Sequence, residues 1–580
     1  MPTTTASLPT PAPFALRSSR RYFIRVAQDY FEISRSEVVA VALLVAILAA
    51  TDAVGLLHHR FDSDEPQHLH VIWGWTHGLV QYRDLFDNHM PLFHLLFAPV
   101  LAAIGDRATV LYWMRLALFP TCFVAAWCTF RIGALLFSRR VGLAAAMLVA
   151  FYPTYHRTSL EFRADNLWAP LWLLCLVALI NCRLTPRRAS FAGLLLGCAF
   201  GVSMKTSLLF LSLIGGAVAL LFLVGRGNLN MSWSACLRCA MAFALGTALV
   251  PGIIMAAFAI GGAWHDFRYC VFDHNILSHF RSHPDWRFMI FPIAFPLLLY
   301  GGRVLMRNSP RPELAIRRGF IFLVCGFYLS ALASFWSQIT RQDFLPSHPL
   351  VGVFCAAGLG YVDRFRPAFI GFFRRVPLPA FVIAAELLVG VAIEPFWIDG
   401  TKSETALLRD VLTVSDPGDY VFDNKGETVF RRRCFRPVLE TLTLERIRRG
   451  LLLDDAARTC VEKRVCVAVL PRHAWLPSYA FIEQNYLPVA DRLRIAGTIL
   501  KPSTANSKRC DFDVAIPASY EIVAADNAVS GELDGTPYTG ARFLLTGRHW
   551  FESASPVTRV ALLWAQAADR NFTPFAHHAM

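Results

Sequence analysis

The feature that most constrains this chain is a succession of long apolar segments separated by short loops rich in arginine. A helix needs roughly 20 apolar residues to cross the hydrocarbon of a bilayer, and residues 38–57 are the first to supply them. Similar segments recur to about residue 397. With 55% hydrophobic and 17% charged residues, the chain is too apolar for a soluble globular protein. The sequence therefore predicts a polytopic α-helical membrane protein.

The arginines decide the expected topology. The stretch from Met90 to Gly105 is apolar, and counting it as a span inverts every later segment. If it instead stays on the outer side as an interfacial or re-entrant helix, the later Arg clusters face the cytoplasm, as the positive-inside rule favours. We therefore expect roughly eleven spans. Their approximate limits are 38–57, 110–137, 141–157, 166–182, 189–204, 206–225, 239–262, 288–303, 319–337, 346–362 and 377–397.

The hydropathy pattern divides the chain into three predicted parts. Residues 1–37 form a basic cytoplasmic tail, residues 38–399 a transmembrane domain with an outer loop at 58–109, and residues 400–580 a soluble α/β domain. The topology above places this last domain on the outer, periplasmic face of a bacterial-type inner membrane. The net charge of +14 does not indicate nucleic-acid binding, because the arginines lie in short clusters between apolar runs.

Two residue types in the sequence point to structure more than to chemistry. Gly193, Gly197 and Gly201 recur at every fourth position of one predicted span, a pattern typical of close helix packing. Four cysteines fall in the predicted outer domain, and their spacing leaves any disulfide pairing open. They are Cys434, Cys460, Cys466 and Cys510.

Polar side chains collect in the loops that this topology places on the outer face. The members of this set are Asp62, Asp64, Glu65 and His68; Glu161, Arg163 and Asp165; Lys205; and Arg341, Asp343 and His348. A carboxylate can accept the proton of an attacking hydroxyl, while Lys and Arg can hold a departing phosphate. The outer loops therefore hold the residue types of a group-transfer site.

The order of several short motifs resembles that of the GT-C glycosyltransferase superfamily. These motifs are the acidic pair Asp64 and Glu65, YRDLFDNHMPLFH at 82–94, MRLALF at 114–119 and EFRAD at 161–165. The resemblance covers roughly residues 38–370 and is strongest to the protein O-mannosyltransferase and aminoarabinose-transferase type. It implies a GT-C fold, with a C-terminal α/β domain beside it here. It also implies transfer of a sugar from a polyprenyl-phosphate carrier to an acceptor on the outer membrane face, usually with inversion.

The resemblance also implies residue roles. Asp64 corresponds to the catalytic base, with Glu65 beside it and Asp165 as a supporting acid. The candidate ligands of the carrier phosphate or of the substrate are Arg163, Lys205, Arg341, His348 and His89. Family members often have two prolines after the basic or His residue, whereas this chain reads His89, Met90, Pro91, which leaves the register of that helix open.

No cofactor is implied with certainty, but one metal site is a candidate. Asp62, Ser63 and Asp64 form a DxD pattern, which in some GT-C enzymes resembles a divalent-ion site. Carboxylate oxygens suit Mn²⁺ or Mg²⁺, so we name Asp62 and Asp64 as candidate ligands.

Each candidate also has a purely structural interpretation. Asp64 and Glu65 could be solvated charges beside a span, and Arg163 with Asp165 could form a structural ion pair. Lys205 could extend its charge to the interface from a span end. The group Arg341, Asp343 and His348 could stabilise its own loop.

Two other functions compete with sugar transfer. One is transport or flipping of a lipid-linked saccharide, and the other is a non-catalytic assembly subunit that binds a glycan. A transporter typically brings polar residues to the bilayer midplane on broken helices and shows internal repeats. Here the charge collects in outer loops, which favours the transferase. The predicted partners are a polyprenyl-phospho-sugar donor, a glycan, lipid or protein acceptor, and the bilayer.

Overall fold

A computed structural model describes most of the chain. The described residues are 35–224, 232–277, 284–365, 377–395, 397–470, 476–502, 507–525, 529–555 and 559–575. Residues 1–34 of the predicted basic tail lie outside this set.

The first two thirds of the described chain are helical. The helices are α1 (Arg35–His58), α2 (Asp64–Thr76), α3 (Leu92–Ile104), α4 (Val110–Leu118), α5 (Pro120–Leu136), α6 (Arg139–Phe151), α7 (Pro153–Ser159), α8 (Asp165–Ile180), α9 (Pro186–Val202), α10 (Thr206–Val224), α11 (Trp233–Ile260), α12 (Trp264–Arg268), α13 (Ile290–Arg307), α14 (Pro312–Phe335), α15 (His348–Val362) and α16 (Leu378–Ile393). Short 3-10 turns at Asp285–Met289, Arg341–Phe344 and Asp363–Phe365, and a π-helical turn at Tyr269–Asp273, join some of them.

Six helical segments of the described chain are long and apolar enough to cross a membrane. They are Glu37–His58, Val110–Leu136, Thr206–Val224, Trp233–Ile260, Trp286–Arg307 and Pro312–Phe335. The chain is therefore an integral membrane protein. The remaining predicted spans are also helical, but they are shorter, as in α6, α8, α9, α15 and α16. The count of roughly eleven spans and their sidedness stay predictions.

Helix α3 occupies the stretch on which the topology depended. It has 13 residues, about 20 Å at 1.5 Å per residue, which is less than the roughly 30 Å of the hydrocarbon. This length suits a helix that does not cross the membrane. Because α6 also has 13 residues, length by itself does not determine the side of the membrane on which α3 lies.

The glycine stripe packs helix α9 against α11. A Cβ on Gly193 would lie 2.1 Å from the Phe243 carbonyl oxygen, and one on Gly197 would lie 2.7 Å from that of Thr247. The packing interpretation of these two glycines is confirmed, since no larger residue fits between the backbones.

Replacing Gly193 with alanine is expected to destabilise the protein. The added methyl group meets main-chain atoms that cannot rotate away, and such overpacking costs about 1–3 kcal/mol. We expect a lower apparent melting temperature in detergent than for the wild type. Gly252→Ala on α11 is the matched control, because a Cβ there meets nothing within 4 Å. Equal melting temperatures for the two variants would contradict the close-packing assignment.

The C-terminal region contains two sheets with flanking helices. The helices are α17 (Lys402–Val414), α18 (Thr441–Arg448), α19 (Ala456–Glu462), α20 (Pro477–Asn485) and α21 (Ala565–Asp569). The strands are β1 (Tyr420–Phe422), β2 (Arg432–Arg433), β3 (Val467–Val469), β4 (Tyr486–Pro488), β5 (Leu493–Leu500), β6 (Arg509–Val514), β7 (Ala518–Ala524), β8 (Gly531–Leu533), β9 (Thr536–Pro537), β10 (Arg542–Leu544), β11 (Gly547–Ser553) and β12 (Val560–Trp564).

One sheet has eight strands and the other has four. The larger follows the order β10-β7-β12-β5-β3-β1-β2, with β4 paired to β5, and the smaller follows β6-β11-β8-β9. Strand β1 runs parallel to β2 and β3, while the other pairs are antiparallel. The buried thiols of Cys434 and Cys460 lie with their sulfur atoms 3.6 Å apart, and no disulfide joins these two residues in the structure. This region rests on helix α2 through the loop after β1, which carries a residue of the site described below.

Candidate active site

Charged side chains from five separate segments meet at one end of the helices. The segments are the start of α2, the connection before α8, the connection before α10, the 3-10 turn Arg341–Phe344 and the loop after β1. We call the nine residues that pair there the charged cluster. Its members are Asp62, Asp64, Glu161, Arg163, Asp165, Lys205, Arg341, Asp343 and Lys425.

Arg163 is the centre of the charged cluster. Its Nη1 binds the carboxylates of both Asp62 and Asp64, and its Nη2 lies 3.4 Å from Asp165 Oδ2. The Arg163 side chain is only 7% exposed. A buried guanidinium needs several carboxylates to offset the loss of its hydration, and Arg163 receives them from α2 and α8.

Two further cations surround this centre. The Lys205 ammonium lies 3.2 Å from Asp165 Oδ1 and 2.6 Å from Asp343 Oδ1. Arg341 binds Glu161 and lies 3.3 Å from Asp62 Oδ2. The Arg341 side chain is 37% exposed, so it forms the solvent side of the cluster.

Asp64 is one of the two acids of the cluster with the most exposed side chains, at 16% against 20% for Asp62. It is the first residue of α2, where the helix dipole favours a carboxylate. One of its oxygens binds Arg163 and the other binds the ammonium of Lys425 from the C-terminal region. Burial raises the pKa of Asp64, but the Arg163 and Lys425 cations outweigh it and hold that pKa well below its usual range. Asp64 is therefore ionised and paired in this state.

Glu65, the neighbour of Asp64, does not join the charged cluster. It is fully buried and makes a bidentate pair with Arg115, at 2.6 Å to Nη2 and 2.7 Å to Nε. The backbone N–H groups of Asp62 and Phe162 also donate to Glu65. Sequence reasoning named Glu65 beside Asp64 as a catalytic acid, but the described contacts of its carboxylate are structural, since they join α2 to α4 and to the connection before α8.

The two candidate histidines occupy different surroundings. His348 lies against Tyr152, Tyr155 and Phe344, and no described contact joins it to the charged cluster. His89 lies near the cluster. Burial lowers the pKa of His89, but the Asp87 carboxylate and, to a smaller extent, the Asp64 charge raise it above its usual value.

Behind His89 lies a buried polar network centred on Asp87. The Asp87 carboxylate lies 2.9 Å from His89 Nδ1 and 3.6 Å from His94 Nδ1, and it accepts a 2.7 Å hydrogen bond from Gln81. His94 in turn lies 3.0 Å from His68. This network contacts α2 through Gln67 and His68.

The charged cluster does not fit the candidate divalent-metal site. The carboxylate oxygens of Asp62 and Asp64 already face Arg163, Arg341 and Lys425. Within the described ranges, no group of three or more His, Cys, Asp or Glu residues could hold a metal ion. We therefore assign no chemical step to a metal.

Sequence reasoning missed several residues of this site or gave them no role. Glu161 and Asp343 are present in the sequence as loop charges, and Arg115, which pairs with Glu65 beside the cluster, is a lone cation inside an apolar run. Lys425 has no such signal, because it lies 361 residues from its partner Asp64.

A groove opens next to the charged cluster, between α1, α7 and α16. Apolar side chains such as Val54, Leu387 and Val391 line it, and His59 stands at its polar end. His59 Nε2 lies 3.6 Å from Glu161 Oε1, so the groove and the cluster share a wall.

In combining membrane helices that carry a polar cluster at one end with a C-terminal region of sheets, the chain is similar to solved proteins of the GT-C superfamily. ArnT from Cupriavidus metallidurans, an aminoarabinose transferase of this superfamily, has such a fold. In its apo state it overlays the chain with a TM-score of 0.54 at 14% sequence identity, covering 80% of this chain and 98% of ArnT. ArnT bound to undecaprenyl phosphate gives the same TM-score of 0.54 at 12% identity, covering 79% and 97%. The chain thus has the GT-C fold that the motif order implied.

More distant matches add nothing to this assignment. The Archaeoglobus fulgidus oligosaccharyltransferase in complex with Zn and sulfate overlays with a TM-score of 0.40 at 11% identity, covering 79% of this chain and 72% of its own. A score this low does not establish a common fold. No family model matches the sequence, and no curated protein matches it.

Proposed function

We propose that the chain is a membrane glycosyltransferase that moves a sugar from a polyprenyl-phosphate-linked donor to an acceptor hydroxyl. The acceptor is a glycan, a lipid or a protein, and the reaction takes place on the outer face of a bacterial-type inner membrane. One observation carries this proposal. At the end of the membrane helices of a GT-C fold, the Asp64 carboxylate lies within a group of four cations, namely Arg163, Lys205, Arg341 and Lys425.

The geometry supports a single displacement. The acceptor oxygen attacks the anomeric carbon and passes its proton to Asp64, while the bond from that carbon to the phosphate oxygen breaks and leaves its electron pair on the phosphate. A displacement of this kind inverts the anomeric centre. Arg341, as the most exposed cation of the three on the helical part, is placed to receive the departing charge. Asp165 positions Arg163 and Lys205, because it binds both.

The groove beside the cluster supports a lipid-linked substrate. Its apolar lining suits an isoprenoid or acyl chain, and its polar end reaches Glu161 through His59. A lipid in this groove would present its headgroup to the charged cluster while its chain stays among the helices.

The test is sugar transfer in membranes that contain the full-length protein. Membranes are supplied with radiolabelled polyprenyl-phospho-sugars, one sugar at a time, and the label is followed in lipid, glycan and protein fractions. We expect label to move from one donor into one acceptor fraction, and membranes without the protein to show no such transfer. Movement of labelled lipid across the bilayer with no new glycosidic bond would indicate a flippase instead. Loss of an envelope glycan in a deletion strain, restored by a protein lacking all the cluster acids, would indicate an assembly subunit.

A further inference from the structure

Lys425 reaches the charged cluster from a loop, residues 423–430, whose backbone is held at many points. Asp423 is fully buried and accepts hydrogen bonds from the backbone N–H of Gly426 at 3.0 Å and of Thr428 at 2.9 Å. Arg433 donates to the same carboxylate at 2.5 Å. The loop therefore has one well-defined shape.

The same loop is seated on helix α2. Gly426 has φ +90°, and a Cβ there would lie 2.9 Å from the Cβ of His70. The His70 ring lies within hydrogen-bond distance, 2.8 Å, of the Val429 carbonyl oxygen. With the backbone fixed in this way, the part of Lys425 that can change position is its flexible side chain.

Lys425 differs from the other cations in how it is bound. Its ammonium pairs with Asp64, with Ser63 Oγ 3.3 Å away, and with no second carboxylate among its described contacts. Arg163, Lys205 and Arg341 each bind at least two carboxylates. Lys425 is therefore the cation whose transfer to another anion disturbs the fewest pairs.

The charge balance of the cluster makes such a transfer favourable. Its five carboxylates outnumber its four cations when all are ionised. A phosphate that enters adds negative charge to a site whose four cations already pair with carboxylates. It can bind well only if a cation turns from a carboxylate to the phosphate.

We propose that Lys425 exchanges its ion pair with Asp64 for one with the phosphate of the polyprenyl carrier, so that donor binding uncovers the base. This inference rests on the proposed function. The exchange moves no proton and breaks no covalent bond. Its consequence is that Asp64 gains a free oxygen for the acceptor hydroxyl only after the donor is in place.

The test is a double-mutant cycle on the binding of undecaprenyl phosphate to the purified full-length protein in detergent. Lys425→Gln is expected to weaken binding about tenfold, because one charged hydrogen bond is lost. Asp64→Asn is expected to tighten binding about tenfold, because Lys425 no longer has to leave a carboxylate. In the double variant with Lys425→Gln and Asp64→Asn, the second substitution should no longer tighten the binding of undecaprenyl phosphate. Lys425→Arg should restore most of the wild-type affinity.

Asp62→Asn is the matched control. It removes the same charge from the same cluster, but Asp62 binds Arg163 and Arg341 and does not bind Lys425. Its effect on affinity should be the same with lysine or glutamine at 425. Undecaprenol, which lacks the phosphate, should bind equally to all variants.

The outcomes separate this inference from the proposed function. If sugar transfer is found but Asp64→Asn changes affinity equally with and without Lys425, the exchange is overturned and the transferase stands. If wild-type protein binds undecaprenyl phosphate no better than undecaprenol, both fail, because the cluster then does not recognise the carrier phosphate. Coupling confined to the Asp64–Lys425 pair supports the exchange.

Discussion

Replacing Asp64 with asparagine is expected to lower the rate of sugar transfer by about 100-fold or more, because positioned general bases contribute that much. Asparagine has nearly the same shape, and its single amide oxygen can still accept a hydrogen bond from Arg163, but its NH₂ group cannot accept one from Lys425 and it cannot take a proton. The protein should therefore fold while the acceptor hydroxyl stays protonated. The measurement is initial transfer rate from a saturating polyprenyl-phospho-sugar, with the amount of folded protein determined by size-exclusion chromatography.

Asp84→Asn is the matched control for this variant. Asp84 belongs to the same outer loop, but it pairs with the neighbouring Arg83 and lies outside the charged cluster. We expect it to keep the wild-type rate. Undiminished transfer by folded Asp64→Asn protein would show that Asp64 is not the base and that another acid of the cluster has that role. Together with the binding cycle, we expect Asp64→Asn to bind the carrier more tightly and to transfer sugar more slowly than the wild type.

Replacing Glu65 with leucine is expected to cost about 3–5 kcal/mol of stability, because it leaves the buried Arg115 charge without its carboxylate. Both side chains are fully buried. Arg115 also donates to the carbonyl oxygens of His59 and Arg60, so it cannot turn towards solvent without giving up those bonds. The measurement is the apparent melting temperature and the yield of monodisperse protein in detergent. The remaining folded fraction should transfer sugar at a rate close to that of the wild type.

The companion variant is the protein with Glu65→Leu and Arg115→Met together. Removing both charges avoids an unpaired buried ion, so the two changes should cost less together than the sum of the single changes. Glu445→Gln on α18 is the control for an exposed pair, since Glu445 binds the solvent-exposed Arg448 and such pairs contribute little. A folded, stable Glu65→Leu protein that has lost transfer would show that Glu65 acts in the chemistry after all.

The contrast between Asp64 and Glu65 shows where sequence reasoning reached its limit. Both acids follow the first apolar segment, and the motif resemblance favours the pair without separating its members. Neighbouring residues of a helix point about 100° apart, so one of the two faces the cluster when the other faces α4. Which one does so depends on how α2 is rotated against Arg115 and Arg163, and the linear pattern contains no such information.

The helices and several site residues could be predicted because they depend on local properties of the sequence. The apolar segments predict helices because the hydrocarbon of a bilayer offers backbone N–H and C=O groups no hydrogen-bond partners, so these groups have to pair within the segment. The residues Arg163, Asp165, Lys205 and Arg341 were named as candidates because the predicted topology places them on one side of the membrane and the GT-C resemblance gives them roles. The structure brings these four together, whereas His348, chosen on the same grounds, lies among aromatic rings.

The sequence by itself determined the kind of protein this is. Hydropathy specifies membrane helices followed by a more polar region, and the order of short acidic and basic motifs indicates the GT-C fold that the overlay with ArnT supports. The tertiary structure determined which charged residues form ion pairs with one another. It assigned Glu65 to Arg115, Asp64 to Arg163, and Lys425 to a site 361 residues away along the chain. The physical reason is that periodicity and hydropathy are local properties, whereas an ion pair between distant segments exists only once packing has fixed the distance and the dielectric surroundings of both charges.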